Sequence, residues 1–172
     1  MGAAAIAVGL WRYAMRYNPR NPDWFGRDRF VLSAGHASLL QYIMLHFAGY
    51  EAWTMEEISK YHAPRMDVIA TGHPEIECPG IEVTTGPLGQ GFANAVGMAM
   101  AAKQVQSMYD KPQYPIVGEQ KIWCFVGDGC LQEGVGHEGR CFKVRLRAEL
   151  QLSLWRVILD LITSFSSTTT TQ

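Results

Sequence analysis

Gly127-Asp128-Gly129 is the tripeptide in this chain best suited to hold a charged group. A diphosphate is held by a divalent cation, by backbone N–H donors and by close approach of the chain. Gly127 and Gly129 leave no side chains in the way, and Asp128 offers a hard oxygen ligand that suits Mg2+ or Ca2+. Directly before it, Ile122-Trp123-Cys124-Phe125-Val126 is unbroken apolar sequence. That is the pattern of a strand buried on both faces of a parallel sheet. Ligands of open α/β sheets sit at the carboxyl ends of such strands. The same tripeptide also suits a plain turn.

Other reactive residue types are less informative taken singly. His36 and His73 could be hydrogen-bonded structural histidines or site residues. His46 lies within an apolar run that reads as helix, so a core position or a satisfied donor is the simpler reading, and His62 and His137 read as loop residues. Trp11, Trp24, Trp53 and Trp123 are most simply packing anchors. Cys130 follows the Gly-Asp-Gly run and reads as a small buried residue. The four cysteines, Cys78, Cys124, Cys130 and Cys141, form no C-x-x-C pair and no metal-finger spacing, which predicts free thiols in a reducing compartment.

The elements that must position these residues follow from periodicity. Ala3 to Tyr17 predicts a helix with Ile6, Leu10, Tyr13 and Ala14 on one face, ended by the Asn18-Pro19 turn. Arg29 to Leu32 predicts a short buried strand leading through Ser33-Ala34-Gly35 to His36. Ser38 to Phe47 predicts a second helix stopping near Gly49. Thr54 to Tyr61 predicts a third, with Thr54 and Glu57 in capping-box spacing. Residues 63–83 read as loop. From Gly91 the small residues Ala93, Ala95, Gly97, Ala99 and Ala101 predict a helix lying close against a neighbour. Lys111 to Gly118 reads as a connection, and Lys121 to Val126 as a strand. The fold class is therefore α/β, a parallel sheet flanked by helices.

The 172 residues are enough for one domain with one sizeable core. The net charge of −1 gives no basic footprint for nucleic acid. Met1 to Leu10 lacks the basic leader and cleavage site of a signal peptide, and no apolar run is long enough to cross a bilayer.

Several runs together resemble the cofactor-binding half of the transketolases. They are Arg27-Asp28-Arg29-Phe30-Val31-Leu32-Ser33, Gly35-His36, Gly72-His73-Pro74-Glu75, Glu82-Val83-Thr84-Thr85-Gly86-Pro87-Leu88-Gly89-Gln90-Gly91 and Gly127-Asp128-Gly129-Cys130-Leu131-Gln132-Glu133-Gly134. The resemblance implies an enzyme that uses thiamine diphosphate (ThDP) and Mg2+ or Ca2+ to move a two-carbon ketol unit between sugar phosphates. It implies that His36 and His73 line the site near the thiazolium and substrate. Gly86, Pro87 and Leu88 match the loop packed on the cofactor, Asp128 the metal ligand and Gly129 a diphosphate contact. Glu133 and Glu138 match acidic residues near the interface of a homodimer. Gln41-Tyr42-Ile43-Met44-Leu45-His46, Lys60-Tyr61-His62 and Gly72 to Glu77 are similar to the dihydroxyacetone synthases, the branch whose acceptor is formaldehyde. The implied location is the cytoplasm, or the peroxisome for that branch.

The resemblance covers residues 1–138, and 139–172 departs from it. Where the family is expected to continue to a second metal ligand, an asparagine, this chain ends in Thr168-Thr169-Thr170-Thr171-Gln172. Read one nucleotide earlier, the codons of the tail permit Ala-Phe-Ser-Leu-Ala-Gly-His-Leu-Gly and, later, Tyr-Asp-Asp-Asn, the segment expected there. Splice signals are available within the codons of Gly139 and Gln151, which predicts a retained intron between them. At face value, Leu150, Leu154, Ile158, Leu161 and Ile162 form an apolar stripe. Either way, the chain by itself is expected to be inactive. The alternative is a non-catalytic module that pairs with a full-length transketolase.

Overall fold

The computed structural model describes residues 2–64 and 68–145, with the side chains of 142–145 left aside. The tail stripe and the predicted exon junction at Gln151 lie outside the described residues. Helix α1 (Ala4–Gly9) runs into a π-helical stretch, Leu10–Ala14. Strand β1 (Arg29–Leu32) leads through a single 3-10 turn, Gly35–Ala37, into α2 (Ser38–Ala48). Then come α3 (Met55–Ser59), α4 (Gln90–Tyr109), β2 (Ile122–Phe125), α5 (Asp128–Gln132) and α6 (Gly134–Arg145).

β1 and β2 pair in parallel, Arg29 opposite Ile122 through Leu32 opposite Phe125. Side chains alternate between the faces of a strand, and both faces are covered. Val31, Ile122 and Cys124 pack with Phe92, Ala95, Val96 and Ala99 of α4. Phe30, Leu32, Trp123 and Phe125 pack with Ala7, Leu10 and Trp11 on the other side. The continuous apolar run at β2 is thus explained by burial on both faces. A third cluster, with Tyr42 stacked on Trp53 at 4.4 Å between ring centres, supports the long loop of 63–83.

The two strands register through a buried carboxylate. Asp28 accepts from the backbone N–H of Lys121 (3.0 Å) and Arg16 (3.1 Å) and from the Trp123 indole N–H (3.0 Å). Three neutral donors offset the cost of burying the charge. Glu82 ties the loop to the strand entrance by accepting from Arg27 (2.8 Å and 3.2 Å) and Arg29 (2.7 Å).

Four expectations are corrected. The first helix ends at Ala14, because Arg16 pairs with Asp28 through backbone and side chain instead of continuing the helix. The π-helical stretch carries one extra residue per turn. Ala7, Leu10 and Trp11 are buried, while Tyr13 is 80% exposed. Trp24 is 42% exposed in the loop before Gly26, so it anchors no core. His137 lies on α6, started by Glu133 accepting from the N–H groups of Gly136 and His137. The capping box is half made. Thr54 Oγ1 accepts from Glu57 N–H (3.1 Å), but the Glu57 carboxylate takes the Ile69 N–H (2.9 Å) and Lys60 (3.0 Å).

Candidate cofactor and metal site

Four glycines bring the loops together at the carboxyl edge of the sheet. A Cβ on Gly35 would lie 2.9 Å from Thr85, one on Gly127 3.7 Å from Ala34, one on Gly129 3.2 Å from the Leu88 side chain, and one on Gly86 3.5 Å from the His73 ring. The end of β1, the Thr85–Leu88 loop, His73 and the loop after β2 therefore form one continuous surface. Gly35 fits Thr85 only because it has no side chain.

Two buried hydroxyls fix this surface to the sheet. Thr85 Oγ1 donates to the Leu32 carbonyl (2.7 Å), at the last residue of β1. Ser33 Oγ, one residue on, accepts from the Phe92 N–H in the first turn of α4 (3.0 Å). Neither was marked out as a site residue by motif chemistry. The available signals were Ser33 closing the apolar run Phe30-Val31-Leu32 and Thr85 directly before Gly86, small polar residues that call for a defined partner when buried.

Of the expected site residues, His36, His73, Gly86, Pro87, Leu88, Asp128 and Gly129 lie on or beside this surface, and the side chains of His36, His73 and Asp128 are exposed. The Asp128 carboxylate has no hydrogen-bond or ion-pair partner among the described residues. Glu133 lies just beyond, its Cβ 3.0 Å from where a Gly89 Cβ would stand. Glu138 is exposed on α6, away from the glycine contacts that join the loops. His46 is satisfied within the fold, Nδ1 at 2.7 Å from the Trp53 carbonyl. His62 is the one non-glycine residue with positive φ among those described, at 62°.

Burial pushes the Cys124 thiol up, with Cys130 beside it adding to the rise, and burial raises Cys78 as well. All four cysteines are free. No group of three His, Cys, Asp or Glu side chains able to hold a metal ion occurs among the described residues. A divalent ion at Asp128 would thus need oxygens from a diphosphate, water or further protein ligands, a set that hard cations accept. The open carboxylate, the two flanking glycines and the glycine-lined approach fit a metal-bridged diphosphate.

A sequence model of the transketolase thiamine diphosphate binding domain matches residues 1–160. The chain belongs to the transketolase family. Its sequence is 50% identical over 134 residues to a dihydroxyacetone synthase of Pichia angusta, covering 78% of this chain and 19% of that protein. It is 51% identical over 139 residues to a transketolase of Buchnera aphidicola subsp. Acyrthosiphon pisum, covering 80% and 20%. Its fold is similar to that of Pichia stipitis transketolase in complex with sedoheptulose 7-phosphate. The TM-score is 0.70 at 44% identity, over 80% of this chain and 19% of that one. The chain spans about a fifth of the length of the curated relatives it matches. Thiamine diphosphate is the cofactor of this transketolase domain, and the two identities do not separate the formaldehyde branch from the sugar branch. Among the described residues, no helix is long and apolar enough to cross a membrane.

Proposed function

We propose that this chain supplies the diphosphate side of a site that transfers a two-carbon ketol unit from a ketose phosphate to an aldehyde. The acceptor is an aldose phosphate or formaldehyde. The observation that carries this reading is the meeting of Gly127-Asp128-Gly129 with Gly86-Pro87-Leu88 at the carboxyl edge of the sheet. When bound, thiamine diphosphate supplies the carbanion chemistry of the transfer. Asp128 would hold Mg2+ (or Ca2+) through a carboxylate oxygen, and Gly129 leaves the diphosphate room at the backbone. Gly86, Pro87 and Leu88 pack on the cofactor. His36 and His73 hydrogen-bond substrate oxygens and move protons to and from them. Glu133 and Glu138 face the second subunit of a homodimer and couple the two sites. The sugar phosphate held by the Pichia stipitis relative supports a sugar phosphate substrate here. Four free thiols support a reducing compartment, the cytoplasm or, for the formaldehyde branch, the peroxisome.

The same reading divides the chain into a family domain, residues 1–138, and a tail, residues 139–172, derived from a retained intron and a shifted exon. Sequencing of the spliced transcript tests the tail. Loss of the last two bases of codon 139 together with codons 140 to 151, which shifts the frame so that it runs on to Tyr-Asp-Asp-Asn, is the expected message, and an abundant message that keeps them contradicts it. The activity is tested by exchanging the matching segment of the Pichia angusta dihydroxyacetone synthase for residues 1–138 of this chain. The exchanged enzyme is expected to transfer ketol units, and Asp128→Ala to cost about tenfold to a hundredfold or more, the scale of losing a group that supports a metal. An exchanged enzyme that does no transfer, or one indifferent to Asp128→Ala, overturns the reading.

A further inference from the structure

The backbone that carries His73 is pinned from beneath by hydroxyl groups on a different element. Ser38 and Tyr42, one turn apart on α2, are both fully buried. Ser38 Oγ lies 2.9 Å from the Gly72 carbonyl and 3.3 Å from that of Thr71. Tyr42 Oη lies 3.0 Å from the carbonyls of both Thr71 and His73. Thr71 Oγ1 donates to the His73 carbonyl at 2.6 Å. Tyr61 Oη stands 3.1 Å from Ser38 Oγ.

One arrangement of the hydroxyl protons satisfies every member. Tyr61 donates to Ser38, Ser38 to the Gly72 carbonyl, Tyr42 to the Thr71 carbonyl and Thr71 to the His73 carbonyl. Three consecutive carbonyls, which no helix or strand pairs, are thereby satisfied by side chains. Such groups must find partners when shielded from water, and a fully satisfied network is rigid. The segment is also capped from above. The His62 ring lies on Gly72, where a Cβ would stand 2.6 Å from it, and the His73 ring lies on Gly86. Tyr42 is itself held by stacking on Trp53, whose indole N–H donates to the Pro79 carbonyl at 2.7 Å.

We infer that Ser38 and Tyr42 are positioning residues for His73: their hydroxyls set the height and direction of the backbone from which the imidazole reaches the site. This rests on the reading of His73 as a substrate-facing group. A sub-ångström shift in such a group matters because general acid–base work depends on hydrogen-bond reach. Most of the network is invisible to sequence periodicity, since α2 lies about thirty residues before the segment it pins.

The test is the NMR spectrum of the full chain labelled with 13C at histidine Cε1, which reports its five histidines. Tyr42→Phe keeps the ring stacked on Trp53 and deletes only the hydroxyl, and Ser38→Ala deletes the other donor. In both, the His73 resonance is expected to shift or split by more than its linewidth, with His62 following, while His46 and His137 stay within theirs. Thr71→Val, on the half-buried side of the network, should move His73 in the same way. Tyr61→Phe should leave it in place, because Ser38 keeps its own proton for Gly72. His73 unmoved in Tyr42→Phe and Thr71→Val, or all five resonances moving together, overturns the inference. Failure of the proposed function has a different signature, an exchanged enzyme indifferent to Asp128→Ala, so the two results are read separately.

Discussion

Gly35 shows how a single residue can set the geometry of the site. A Cβ there would stand 2.9 Å from the carbonyl carbon, the carbonyl oxygen and the hydroxyl of Thr85, and backbone atoms cannot move aside as a flexible side chain can. Gly35→Ala is expected to lower stability by about 1–3 kcal/mol, the range for overpacking, as read from the urea midpoint. Asp28 is the second case. Its removal strands the Trp123 indole N–H in the interior and takes the acceptor from the part-buried N–H groups of Lys121 and Arg16. With buried unsatisfied donors costing about 1–3 kcal/mol each, Asp28→Ala is expected to lose several kcal/mol by the same measurement. Asp128→Ala, whose carboxylate has no hydrogen-bond or ion-pair partner among the described residues, should leave the midpoint within about 0.5 kcal/mol of the parent chain. At this scale the sequence was most legible where chemistry dictates residue type. Gly127, Asp128 and Gly129 read as a ligand loop because few other residues do that work. Asp28, Ser33 and Thr85 did not stand out, because all their partners except Arg16 lie 53 to 95 residues away in the chain.

Among the elements, the two strands and α4 were legible from their apolar and small-residue runs, and α2 from its periodicity and the stop at Gly49, where φ is 90°. The first helix was overextended because the competitor was tertiary. Arg16 is drawn into pairing with Asp28, a contact no local pattern encodes. The capping box at Thr54 is only half made for a similar reason, as the Glu57 carboxylate is taken by the loop at Ile69. The connection before β2 has its own lock. Asp110 accepts from the N–H groups of Ile116 (2.8 Å), Val117 (2.9 Å) and Gly118 (2.8 Å). The bond from Val117 does most to hold its pKa below the ordinary value, helped by Gly118 and Ile116 and opposed by slight burial. A depressed carboxylate pKa contributes stability that is present above the unfolded value of about 3.9 and lost as pH falls through the folded value. Exchange protection of the Ile116, Val117 and Gly118 amides is therefore expected to hold at neutral pH and to be lost as pH falls through the lowered Asp110 pKa, below the ordinary carboxylate value of about 3.9. In Asp110→Ala it should be absent at every pH, and protection that survives in that variant contradicts the lock.

For the whole molecule, the family and the fold class were legible because the motifs keep their order along the chain, and order fixes which loops meet at one sheet edge. What order could not supply is contact: that Gly129 meets Leu88, Gly86 meets His73 and Gly35 meets Thr85 comes from the packing of α4 across the strands. Among the described residues the sheet has two strands, and no group of three His, Cys, Asp or Glu side chains is placed to hold a metal ion. The 172-residue chain by itself is accordingly expected to bind thiamine diphosphate with Mg2+ too weakly to register by calorimetry. The central claim, that Asp128 and its glycine neighbours form the metal and diphosphate side of a transketolase-family site, is tested most directly in the segment-exchanged dihydroxyacetone synthase. The measurement is calorimetric titration with thiamine diphosphate in the presence of Mg2+, before and after Asp128→Ala. Clear binding that weakens about tenfold to a hundredfold in the variant is the predicted result. Equal affinity in the two proteins would contradict it.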